Sequence, residues 1–181
     1  TYPVEGSKET FDAVKDITLS IDEGSINAII GGSGAGKSTL VRMINALERP
    51  TSGQVVVEGT DITALSAKEI RELRTRIGMV FQQFNLLGSR TVYDNIAFAL
   101  HSAGWKAEQQ RDRIAELLHF VGLAEKAWAY PRQLSGGQKQ RLALAVNLTA
   151  PKRIYIFDEA TGNIDAESEG IIMEVIRSLS T

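Results

Sequence analysis

Apolar positions along this chain follow two periods. Ile17, Leu19 and Ile21 alternate with polar residues, and Ile26, Ala28, Ile29 and Ile30 run almost unbroken into a glycine cluster. The spacing predicts two strands over 17–30, the second fully buried. Lys37 to Leu47 predicts a helix, Glu48 to Gly53 a turn, and Gln54 to Glu58 a short valine-rich strand. Ser66 and Glu69 have capping-box spacing and predict a charged helix through about Arg74. Ile77 to Phe81 predicts another apolar strand. From Phe84 to about Tyr130 the period becomes helical: Ile114, Leu117, Leu118 and Val121 form one stripe at i, i+3, i+4 and i+7. A further helix is predicted from about Gly136 to Thr149, then a buried strand, Ile154 to Phe157, ending in Asp158-Glu159.

Strands alternating with helices predict a parallel α/β sheet with a helical insert between about 84 and 140. One strand ends in glycines and another in acids, which puts both at the carboxyl edge, where open α/β sheets bind ligands. The 181 residues suit a single domain, expected to divide into 1–83, 84–140 and 141–181. A net charge of −2 gives no reason to expect a nucleic-acid partner. The absence of cysteine excludes disulfides, thiolate catalysis and cysteine-bound zinc, and two histidines are too few for a histidine-built metal site. No apolar run approaches the ~20 residues of a membrane span, and no secretory signal is legible. Work at a membrane is therefore expected to run through another chain.

The densest chemical signal is Gly31-Gly32-Ser33-Gly34-Ala35-Gly36-Lys37-Ser38, followed by Thr39. It fits the phosphate-binding pattern G-x-x-x-x-G-K-[ST], between a predicted strand and a predicted helix. Glycines adopt backbone angles closed to other residues and let the chain wrap an anion. N–H groups at the helix start favour phosphate. Lys37 can offset β- and γ-phosphate charge, and Ser38 can ligate Mg²⁺. Asp158 supplies a hard oxygen ligand for the same ion, directly or through water. Glu159 is then placed to polarise a water that attacks the γ-phosphate. Leu134-Ser135-Gly136-Gly137-Gln138 opens another helix and offers a second anion-binding surface. One nucleotide needs one cradle, so the second is expected to serve a nucleotide held by another copy.

With these motifs in this order, the chain resembles an ATP-binding-cassette ATPase over nearly all of its length. The resemblance implies a RecA-like P-loop core with a parallel sheet, an N-terminal antiparallel β subdomain, and a helical insert carrying LSGGQ. It implies ATP and Mg²⁺ as ligands. It also implies a head-to-tail homodimer in which each ATP lies between the P-loop of one copy and the LSGGQ of the other. By the same resemblance Gln82 senses Mg²⁺ and water, with neighbouring Gln83 as the alternative. Asp165 crosses the dimer interface, and Tyr2 stacks on adenine, with Phe11 as the alternative. The docking surface for integral membrane permease subunits is expected around Phe84 to Asn95, with the protein peripheral on the cytoplasmic face of the cell membrane. The runs from Asn45 to Gly53, Gln82 to Val92 and Tyr130 to Arg141 are similar to the methionine-importer ATPases.

Three features depart from the family pattern. Gly162-Asn163, where A-T-S-A-L-D is usual after the glutamate, looks more like the lipoprotein-releasing and cell-division branches. Val146-Asn147 stand where an arginine-alanine pair is common. The family's switch histidine would fall past Thr181; His101 and His119 precede LSGGQ and cannot replace it. The C-terminal end of the fold is therefore expected to be missing, and the chain by itself to hydrolyse ATP poorly. A soluble ATPase of the same family, acting in DNA repair or on ribosomes, is the competing reading. The short span between Gln82 and Leu134 argues against the long coiled-coil insert such proteins tend to carry.

Overall fold

The structure, a computed structural model, describes residues 2–3, 10–81, 83–158 and 166–178. The chain divides into two compact units, one running through Arg74 and the other starting at Thr75.

In the first unit, β1 (Tyr2–Pro3) pairs antiparallel with β2 (Thr10–Phe11). Helix α1 (Lys37–Ile44) follows the glycine cluster. It stops short of the expected Leu47 because Ala46 turns into the left-handed region at φ 55°. The carbonyls freed there are taken by Arg74, whose Nε donates to the Asn45 carbonyl at 3.0 Å and whose Nη2 donates to the Ala46 carbonyl at 2.8 Å. The valine-rich strand is shorter than expected: β3 (Val56–Val57) pairs with β4 (Thr60–Asp61) across Glu58-Gly59, both at positive φ. Two left-handed residues are what a tight hairpin turn of the matching twist requires. Helix α2 (Ala67–Thr75) starts at the expected box, with the Ser66 hydroxyl and N–H donating to Glu69 Oε2 at 2.6 and 2.8 Å.

The two strands expected over 17–30 are not formed among the described residues. The local hydrogen bonds recorded there make a turn, Ser25 N–H to the Asp22 carbonyl at 3.2 Å. Instead of being buried, Ile30 is 93% exposed and Ile26 62%. Alternating apolar residues mark a face, but a strand exists only through ladder bonds to a partner, and this segment shows none to the described residues.

In the second unit, β5 (Ile77–Val80) pairs parallel with β6 (Ile154–Phe157), register Ile77 to Ile154 through Val80 to Phe157. Helices α3 (Val92–Ser102), α4 (Ala107–Phe120) and α5 (Gly136–Asn147) enclose a core in which the expected stripe Ile114, Leu117, Leu118 and Val121 is buried. Helix α5 has apolar residues on two sides. Leu142 and Ala145 enter this helical core. Ala143 and Leu144 join a second core with Val80 of β5 and with Ile172 and Val175 of α6 (Ala166–Ser178). A helix that serves two cores must be apolar nearly all round, which explains the run Leu142 to Ala145.

Candidate functional site

The glycine loop has the shape its spelling requires. Gly34 and Gly36 stand at φ 77° and 84°, a region L side chains rarely adopt. A Cβ on Gly36 would collide with the Ala13 carbonyl, whereas one on Gly32 or Gly34 would meet nothing within 4 Å. Gly36 is therefore required by packing and conformation, and Gly32 and Gly34 leave open space beside the backbone. Gly36 is also the N-cap of α1 and has no side chain to occupy the first-turn N–H groups. Gly31, Gly32, Ser33, Gly34 and Ala35 are exposed, while Lys37, Ser38 and Thr39 are half-buried. Lys37 Nζ donates to the Gly31 and Gly32 carbonyls, both at 2.9 Å. An ammonium group inside a loop of small residues, at a helix start, is an arrangement suited to a polyphosphate.

Tyr2 and Phe11 are not rival positions in the structure. They are cross-strand partners in β1 and β2, with ring centroids 5.8 Å apart and planes 29° from parallel. They form one aromatic platform.

In the second unit, LSGGQ opens α5. Leu134 is 5% exposed and anchors the segment in the helical core. Ser135 and Gly136 are exposed, Gly137 is buried, and Gln138 is half-buried. Ser135 Oγ accepts from the Gln138 N–H at 3.2 Å, and Gln138 Oε1 accepts from the Ser135 N–H at 3.0 Å. This reciprocal cap assigns Gln138 a local role that its place in the motif did not reveal. Asp158 is buried at the carboxyl end of β6, and its N–H donates to the Val80 carbonyl at 2.9 Å. Among the described residues no three His, Cys, Asp or Glu side chains cluster as a metal cage. The donors identified from the sequence, a hydroxyl and a carboxylate, suit an ion that keeps waters and phosphate oxygens as its other ligands. Gln82, Glu159 and Asp165 lie outside the described residues, as do Gly162 and Asn163.

Sequence reasoning did not single out Asn95. It is 4% exposed on α3 and holds the segment 87–91. Its Nδ2 donates to the carbonyls of Leu87 at 3.2 Å, Arg90 at 3.3 Å and Thr91 at 2.8 Å, and its Oδ1 accepts from the Leu87 N–H at 2.8 Å. The signal was present: Asn95 sits on the same apolar stripe as Val92, Ile96 and Leu100, and a buried polar side chain on such a stripe needs partners.

A family profile described as ABC transporter matches residues 14–162, and the chain belongs to that family. The curated relatives it resembles include the methionine import ATP-binding protein MetN of Leifsonia xyli subsp. xyli (strain CTCB07), 54% identical over 175 residues, which cover 97% of this chain and 52% of the relative. MetN 2 of Rhodococcus jostii (strain RHA1) is 51% identical over 180 residues, 99% of this chain and 53% of the relative. The chain thus spans about half the length of these curated relatives. Among solved structures, the dimeric ATP-binding cassette MJ0796 in a post-hydrolysis state bound to ADP and Pi superposes with a TM-score of 0.91 at 34% identity, covering 99% of this chain and 79% of that one. The fold expected from the motifs, a P-loop cassette core, is the fold of these structures. Among the described residues no helix is long and apolar enough to cross a membrane.

Proposed function

We propose that this chain is the nucleotide-binding core of an ABC importer ATPase that binds and hydrolyses Mg-ATP to drive uptake of methionine or a related small solute. The observation that carries the reading is 54% identity over 97% of the chain to a methionine import ATP-binding protein, together with an intact phosphate loop. Lys37 offsets the charge of the β- and γ-phosphates, and the N–H groups from Gly31 to Thr39 cradle them. Tyr2, backed by Phe11, stacks on the adenine. Ser38, Asp158 and Gln82 hold Mg²⁺, which when bound offsets phosphate charge. Glu159 takes a proton from the attacking water as it forms its bond to the γ-phosphorus, and the β–γ bridging oxygen leaves with ADP. Leu134, Ser135, Gly136, Gly137, Gln138 and Asp165 act across a head-to-tail homodimer closed by ATP. The dimeric structure of the cassette MJ0796 supports the pairing of two copies. Permease subunits dock around Phe84 to Asn95, on the cytoplasmic face of the membrane.

Substitution of Glu159 by Gln in the full-length protein tests the chemistry. ATP binding is expected to persist and turnover to fall to background; normal turnover removes Glu159 as the base. Uptake of labelled methionine by cells carrying the protein and its permease tests the solute. ATP turnover without methionine uptake points to a different cargo.

A further inference from the structure

Helix α4 closes in a Schellman turn. Gly122, at φ 63°, donates its N–H to the His119 carbonyl at 3.0 Å, and the Leu123 N–H donates to the Leu118 carbonyl at 2.8 Å. Leu118 and Leu123 are both buried in the helical core. The turn does not use the Val121 carbonyl, and Arg141 of α5 takes it, its Nη1 donating at 3.2 Å. Arg141 is 5% exposed, so a guanidinium that keeps its charge is held inside, at a helix C-terminus that favours a cation. A Cβ on Gly122 would stand 2.9 Å from Nη1, so the glycine leaves the room that the guanidinium occupies. Packing alone needs no charge there, because an apolar group of similar volume often fills such a place at no loss of stability.

Helix α5 is tied a second time at its far end, where Asn147 Oδ1 accepts from the Met79 N–H of β5 at 2.9 Å. The apolar contacts of α5 with its two cores exclude water but are non-directional. A hydrogen bond has a narrow range of distance and angle. Two such ties, one to α4 and one to β5, fix the direction of the helix axis. The start of α5 lies beyond the first tie: its N-cap, Ser135, stands about 9 Å before Arg141 along the axis. We propose that Arg141 is a positioning residue: by clamping α5 to the end of α4 it aims the helix start, Ser135 to Gly137, at the nucleotide held by the other copy. The inference rests on the reading of LSGGQ given above.

The test uses the full-length protein assembled with its permease, and a non-hydrolysable ATP analogue. In mixed dimers one copy carries Lys37→Ala, so that only the other copy's phosphate loop holds nucleotide. With Arg141→Met in the copy that holds nucleotide, the filled loop faces an unchanged helix start, and release of the analogue should equal that of the parent mixed dimer. With Arg141→Met in the Lys37→Ala copy, the filled loop faces the altered helix, and release should be roughly threefold to tenfold faster, the loss of about one net hydrogen bond. Gly122→Ala keeps Arg141 but crowds its Nη1, and should follow the same pattern. Unchanged release in the second arrangement overturns the proposal. Faster release in the first arrangement also overturns it, because Arg141 would then support only the fold of its own copy. Ser135→Ala in the Lys37→Ala copy should speed release as well; if it does not, the reading of LSGGQ falls and this inference with it.

Discussion

Lys37 Nζ donates to the carbonyls of both Gly31 and Gly32, so the first turn of α1 reaches back and closes the loop that leads into it. The same ammonium therefore shapes the loop and presents positive charge inside it. Lys37→Ala is expected to lower ATP turnover of the full-length protein by on the order of a hundredfold or more. Lys37→Arg should not restore it, because a planar fork cannot replace a compact ammonium among these carbonyls. Steady-state hydrolysis with parallel nucleotide-binding measurements decides; turnover within a few-fold of the parent in either variant would remove Lys37 from its assigned role.

Gly34 and Gly36 share a left-handed backbone but differ in their surroundings. Gly34→Ala bears only the conformational penalty, about 1–2 kcal/mol. Gly36→Ala bears that penalty and a collision with the Ala13 carbonyl, so it is expected to destabilise more than Gly34→Ala. Urea midpoints of the two variants give the ordering. Equal midpoints would mean that the approach of Ala13 to the loop is not maintained.

The cap of α2 should be sensitive to acid. Hydrogen bonds from the Ser66 hydroxyl, and then from its N–H, lower the pKa of Glu69 below its ordinary value. A carboxylate whose folded pKa is depressed stabilises the fold above the unfolded value, about 4.3 for glutamate. That contribution is lost as the pH falls through the lower folded value. Amide exchange at the start of α2 should therefore rise below about pH 4.3. In Glu69→Gln, which keeps an acceptor, the rise should be absent. The same rise in both proteins would assign the effect to another group.

The helical core should answer to single truncations. Ile114 is fully buried among α3, α4 and α5, and Ile114→Ala is expected to cost about 2–5 kcal/mol. Met173 on α6 is 38% exposed, and Met173→Ala should cost well under half as much. Denaturant unfolding of both variants tests whether this core carries the unit.

Elements whose signals are local were readable before any coordinates. The Ser66/Glu69 box, the stripe from Ile114 to Val121 and the glycine loop each depend on residues within a turn or two. Propensity, period and backbone freedom act over that range. Among the described residues the strands expected over 17–30 are not formed: alternation names a face without naming a strand to pair with it.

Residue types and their spacing determined that this chain carries a phosphate loop, an acid-ended strand and a second helix start fit for an anion, and that it belongs with the ABC cassettes. Tertiary structure alone decided which polar side chains meet backbone groups far along the chain. Arg74 takes the carbonyls after α1, and Asn147 takes the Met79 N–H. It also decided that Tyr2 and Phe11 form one platform. The reason is that a backbone group left unpaired in the interior costs about as much as a lost hydrogen bond. Its partner is chosen by proximity in the folded chain, which no periodicity along the sequence records.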